Sequence, residues 1–90
     1  MTTPTRYTVS LKRRAEQALR RLPQTIRIRI DALLVQLADN PRPPGVVKLS
    51  GQAGSHWRIR IRDYRILYQI DDQRYLIEIY RIKHRSQVYR

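Results

Sequence analysis

The stretch "WRIRIRDYRILYQID", residues 57–71, decides the fold. Trp57, Ile59 and Ile61 alternate with Arg58, Arg60 and Arg62, and a period of two puts each set on its own face of a strand. Asp63 and Tyr64 are expected to form a tight turn, which makes the next strand antiparallel to the first. In that next strand Tyr64, Ile66, Tyr68 and Ile70 share one face, and Arg65, Leu67 and Gln69 the other. A turn at Asp71, Asp72 and Gln73 then leads into "RYLIEIYRI" (74–82). The expectation is a three-stranded antiparallel sheet, apolar on one face and studded with arginine on the other.

The same four residues, "RIRI", recur at 27–30, where the flanks give them the opposite role. Ile26, Ile30, Leu33, Leu34 and Leu37 follow helical spacing, and Pro23 can open such a helix because its missing N–H is not needed there. "DNPRPPG" (39–45) ends it. Before it, Leu11, Ala15, Ala18, Leu19 and Leu22 predict a helix near 11–22, so the two helices form an antiparallel hairpin. "RYTVSL" (6–11) alternates as a first strand. The fold class is therefore α+β. It is read as a single domain over 1–90, with a loop at 39–56 and a basic C-terminal tail at 84–90.

Composition narrows the function. Nineteen Lys and Arg against seven Asp and Glu give a net charge of +12. Sixteen of the nineteen are arginine, whose planar fork suits phosphate and base stacking better than lysine does. Nucleic acid is the leading partner class and an anionic membrane surface the weaker one. No stretch approaches the roughly 20 apolar residues of a membrane span. The absence of cysteine excludes disulfides and thiolate chemistry, and it fits a cytoplasmic protein. Two histidines far apart with few carboxylates give no metal site, and no cofactor motif is present.

No serine motif, phosphate loop or carboxylate pair occurs. What remains is arginine and lysine with one histidine and several tyrosines. That set suits RNA cleavage by the substrate's own 2′-hydroxyl, where the protein holds the phosphodiester, stabilises charge on its oxygens and moves protons. Arginine serves the second task and not the third, since its pKa exceeds about 12. His84, Lys83, Lys48 or a tyrosine must then carry the proton, and Tyr89 offers a stacking face. Taken alone, an alternating arginine stripe is more often a solvated face, a lone terminal histidine is more often simply exposed, and Asp63 is most simply a turn residue.

Three segments in order, "KLSG" (48–51), "WRIRIRDYRILYQID" (57–71) and "RIKHRSQVYR" (81–90), resemble the RelE/ParE toxin superfamily, the toxic halves of bacterial toxin–antitoxin pairs. The pattern there is close to KL-x-G, WRIRxGDYRxxYxI and RIGHRxxVY, and the resemblance covers about residues 6 to 90. It implies a RelE-like fold. RelE-type members cleave mRNA in the ribosomal A site by 2′-hydroxyl attack, whereas ParE-type members poison DNA gyrase without catalysis.

Carried over by position, the resemblance makes Arg65 the transition-state arginine and Arg58 and Arg60 the basic pair of the second strand. Lys83, His84 and Arg85 form the basic cluster after the last strand, and Tyr89 is the C-terminal tyrosine. Arg62 and Lys83 replace glycines of the pattern. Lys48, Arg58, Arg60, Arg62 and Arg85 are expected to bind RNA, and Arg65, His84, Lys83 and Tyr89 to act in catalysis without metal. The implied partners are the ribosome with its mRNA and an acidic antitoxin. The toxin is expected to be hetero-oligomeric with the antitoxin and monomeric when free. A non-catalytic gyrase inhibitor is the alternative, and a degenerate, non-toxic binding module a third reading.

Overall fold

A computed structural model describes residues 6–49 and 56–88. In chain order the elements are β1 (Thr8–Leu11), α1 (Arg13–Arg20), α2 (Gln24–Asp39), β2 (Val47–Lys48), β3 (His56–Ile61), β4 (Tyr64–Asp71), β5 (Leu76–His84) and α3 (Arg85–Val88). The strands form one sheet in the order β1-β5-β4-β3-β2. Neighbours are antiparallel except β1 and β5, which run parallel because the rest of the chain intervenes between them. The α+β arrangement expected from the sequence is present, and the sheet has two more strands than the central three.

Both helices pack on the same face of the sheet, α1 against β5 and β1, α2 against β1 and β3. Ile59, Ile66, Tyr68, Ile70, Ile77, Ile79 and Ile82 are buried on the sheet side of this core, and Ala15, Ile30, Leu33 and Leu37 on the helix side. Full burial of each Leu or Ile contributes about 1.5–3 kcal/mol. The first "RIRI" is helical for a visible reason. Ile30 is fully buried while Ile28 is 59% exposed, a split that a strand, with both on one face, could not make.

Four boundaries differ from the sequence reading. The β3–β4 turn is Arg62 and Asp63, because Tyr64 already pairs with Ile61. Arg62 takes a φ of +54°, which explains why the family pattern carries glycine there. The 39–56 loop contains β2, whose Val47 pairs with Arg58. The β4–β5 turn extends to Tyr75, whose φ is +56°, and the Asp71 carboxylate accepts N–H bonds from Gln73 and Arg74, each at 3.1 Å. Finally, β5 runs to His84, so Lys83 and His84 belong to the sheet rather than to a tail. Two of these differences lie at turns, where local hydrogen bonds outweigh periodicity, and two are strand pairings that extend past the alternating pattern.

β5 also carries a bulge. Leu67 faces Arg81 but Tyr68 faces Ile79, which leaves Tyr80 as an extra residue. A clip joins the ends of two loops: the Asp72 carboxylate accepts a bond from the Tyr7 hydroxyl at 2.6 Å and from Arg42 at 2.8 Å. The Tyr68 hydroxyl donates to the Pro41 carbonyl at 2.9 Å, and burial pushes its pKa up to about 12.

Candidate nucleic-acid interface

The sheet face away from the helices is built in rows. Arg60, Arg65 and Lys83 are direct neighbours across β3, β4 and β5. At the usual strand spacing this puts three cations within about 10 Å. The next row is Arg58, Leu67 and Arg81, and the next His56, Gln69 and Glu78. Like charges directly opposite one another in a sheet repel, so the row concentrates positive charge where an anion can lie across it.

The bulge modifies the second row. It turns both Tyr80 and Arg81 to the open face, where Tyr80 meets His56: the ring centroids are 5.4 Å apart, near edge-to-face, and the hydroxyl lies 3.2 Å from Nδ1. Burial raises the Tyr80 pKa. Beside it opens a groove of about 460 Å³, lined by Leu67, Tyr80, Arg81 and Lys83 of the sheet. The start of α1 supplies Lys12, Arg13 and Arg14 to the same groove.

The register separates the residues that the sequence reading grouped. Arg58, Arg60, Arg65 and Lys83 share the open face. Lys48 does not, because it pairs with Trp57; its Nζ lies 5.8 Å from the centre of that ring, with Arg42 at 5.1 Å. His84 does not either. It pairs with Tyr64, on the helix side of the sheet, with ring centroids 5.0 Å apart. Its Nδ1 accepts the Ser86 N–H at 3.2 Å and lies 2.9 Å from the Ser86 hydroxyl. Strand alternation is the physical reason: consecutive Lys83 and His84 must face opposite ways.

Arg62 sits in the turn and borders a depression with Thr25, Ile26 and Arg29. Arg85 donates its N–H to the Asp63 carbonyl at 2.7 Å, and its guanidinium lies 3.7 Å from the Asp63 carboxylate. Asp63 thus holds the C-terminal helix as well as turning the chain. Tyr89 lies outside the described residues.

Sequence reasoning missed Lys12, Arg13, Arg14, Tyr80 and Arg81, and it gave His56 less weight than His84. One signal was available in "KRR" at 12–14. Cations at a helix start run against the helix dipole, so three of them there ask for an explanation outside the helix. The bulge that presents Tyr80 had no signal in the alternating pattern. Among the described residues, no three His, Cys, Asp or Glu come together as a metal site, and no helix is long and apolar enough to cross a membrane.

Comparison with known proteins gives consistent relatives. A family profile described as the ParE toxin of the type II toxin–antitoxin system parDE matches residues 9–89. The archaeal RelE–RelB complex from Pyrococcus horikoshii OT3 contains a chain with a TM-score of 0.81 and 28% identity, covering 90% of this chain and 97% of that one. The RelBE2 toxin–antitoxin complex from Mycobacterium tuberculosis gives 0.76 and 30%, covering 89% and 99%. The isolated RelE toxin of E. coli gives 0.76 and 29%, covering 92% and 90%. No curated protein sequence matches at a significant level.

Proposed function

The chain belongs to the ParE toxin family of type II toxin–antitoxin systems, within the RelE/ParE superfamily, and from that premise we propose that it is a ribosome-dependent mRNA endonuclease. The observation that carries this reading is the cross-strand row Arg60–Arg65–Lys83. In the reaction the 2′-oxygen of the substrate bonds to phosphorus and the 5′-oxygen leaves. A proton passes from the first to the second, leaving a 2′,3′-cyclic phosphate and a 5′-hydroxyl.

Arg65, at the centre of the row, stabilises the charge that builds on the non-bridging oxygens. Arg60 and Arg58 hold the flanking backbone. Lys83 is the one member of the row that is not an arginine, and it moves the proton. His84, on the other face, acts through the chain: its bonds to Ser86 set the start of α3. Tyr89 supplies a stacking face for a base.

The partner is a cognate acidic antitoxin. The support is the crowded positive row, together with solved relatives that are toxins complexed with RelB. An acidic segment laid across the open face would replace the repulsion between Arg60, Arg65 and Lys83 with charge pairs.

The name ParE in the family profile keeps a second reading open, the gyrase inhibitor without catalysis that the resemblance offers as the alternative. One experiment separates the two. The protein is induced alone in a bacterial host, and the 5′ ends of ribosome-bound mRNA are mapped. New 5′-hydroxyl ends inside A-site codons, with translation arrest, are expected. Intact mRNA with filamentation and DNA-damage signalling would replace the endonuclease with the gyrase inhibitor.

A further inference from the structure

The groove beside the arginine row is the size of a nucleotide, and its lining is divided in a way the row alone does not explain. Lys12, Arg13 and Arg14 reach it from α1, and Arg81 and Lys83 from β5. Between these cations lie an aliphatic group, Leu67, and an aromatic ring, Tyr80. The ring is there only because the bulge adds one residue to β5, and it is fixed by the His56 contact at 3.2 Å. A purely phosphate-binding surface has no use for a pinned aromatic ring. A surface for single-stranded nucleic acid does, because every base has a face to stack.

Resting on the RNA reading above, we propose that this groove is a nucleotide subsite, in which the base of an unpaired ribonucleotide beside the scissile phosphate stacks on Tyr80 and its phosphate is held by the α1 cations and Arg81. Lys83 belongs to both the groove and the row, so the bound nucleotide and the scissile phosphate are adjacent along one strand of RNA. Lys12 is shared with Glu78, whose carboxylate lies 3.8 Å from its Nζ. Arg13 and Arg14 are the more available phosphate donors. The subsite gives a sequence-tolerant grip, since a ring accepts the face of any base. His56 acts as a positioning residue that holds the Tyr80 ring.

The test is a cycle between a base and the ring. Binding of labelled pentauridylate to the purified protein is measured by fluorescence anisotropy, beside the same oligomer with an abasic residue at its centre. Wild type should lose about 5- to 150-fold in affinity for the abasic probe, the range for one stacked base. Tyr80→Leu should lose a similar factor for the intact probe and no longer distinguish the two, with its thermal midpoint and circular dichroism confirming the fold. Tyr80→Phe should retain most of the discrimination, because it keeps the ring and its edge-to-face contact with His56 and loses only the hydroxyl contact. Undiminished discrimination in a folded Tyr80→Leu protein overturns the subsite while leaving the endonuclease reading in place. A Tyr80→Leu protein that binds pentauridylate normally but loses an acidic peptide assigns the groove to a protein partner instead. Failure of wild type to bind either probe overturns the RNA reading, and the subsite with it.

Discussion

At the scale of single residues, Arg65 is the most informative position. It stands between Arg60 and Lys83 in register, so a phosphate centred on the row lies against it. Arg65→Ala should slow single-turnover cleavage of A-site mRNA on purified ribosomes by about 10²–10³, the usual loss for one preorganised donor. Arg65→Lys should recover only part, because a point charge cannot form the bidentate fork. In the same assay Lys83→Met should slow cleavage by about 10²–10⁴, the loss expected for a missing proton mover. His84→Gln should do far less, since His84 faces Tyr64 and the helices. A severe His84→Gln defect beside a mild Lys83→Met defect would reverse the two roles. Arg62 carries a different cost. Its φ of +54° is strained for any residue with a Cβ, and its side chain is exposed. Arg62→Gly should stabilise the protein by about 0.5–1 kcal/mol and raise its thermal midpoint by roughly 2–8 °C.

At the scale of elements, the strands and helices were legible because their burial repeats. Ile30, Leu33 and Leu37 give a buried helical stripe extended by half-buried Ile26, and buried Ile59 with half-buried Trp57 and Ile61 gives one strand face. The faces of β3 and β4 followed directly, and with them the placing of Arg58, Arg60 and Arg65 together. What stayed illegible depends on register rather than period. Lys48 falls on the wrong face only because two-residue β2 pairs Val47, not Lys48, with Arg58. Tyr80 reaches the open face only through a bulge, and His84 is turned from it only because β5 continues two residues past Ile82. The clip between the α2–β2 loop and the β4–β5 turn is equally invisible in sequence, since Tyr7, Arg42 and Asp72 are far apart in the chain. It yields a pH dependence. Arg42 and then Tyr7 hold the Asp72 carboxyl below the usual carboxylate range. A depressed carboxyl stabilises the fold above its unfolded pKa of about 3.9, and that contribution disappears as pH falls through the lower folded value. The Tyr7 hydroxyl, raised mainly by its bond to Asp72, behaves oppositely. Its contribution is present below its unfolded pKa of about 10 and is lost as pH rises through the folded value. Thermal midpoints of wild type and Asp72→Asn should therefore differ at neutral pH and converge toward pH 2. A constant difference across that range would mean that Asp72 stabilises the turn by shape and not by charge.

At the scale of the whole molecule, a net charge of +12 acts on folding and on binding with opposite signs. Within the folded chain the charge repels itself. Basic groups outnumber acidic ones nineteen to seven, and the salt bridges among the described residues are exposed pairs such as Arg6 with Asp39 and Arg42 with Asp72. Such pairs each contribute about 1 kcal/mol or less. Screening should relieve the repulsion faster than it weakens these pairs, so the thermal midpoint of the free protein should rise as salt increases from about 50 mM to about 500 mM, where the Debye length shrinks from above 10 Å to below 5 Å. Binding to RNA should weaken over the same interval. A pentanucleotide presents four internucleotide phosphates, and at about −0.7 per phosphate the slope of log affinity against log salt should lie near −2 to −3. Replacing Arg58 with serine removes one phosphate contact and should make the slope less steep by about 0.7 while leaving the salt-induced rise in thermal midpoint in place. The pairing of the two trends is the discriminating result. If charge were spread evenly as a solvated coat, salt would still stabilise the fold, but oligonucleotide affinity would be uniformly sensitive to any arginine removed. A steep slope that responds to Arg58, Arg60, Arg65 and Lys83 and is indifferent to Arg20 and Arg74, exposed residues paired with Glu16 and Asp71, would locate binding on the open face. Equal responses at all six positions would return the arginine stripe to a solvated surface and remove the electrostatic basis for the endonuclease.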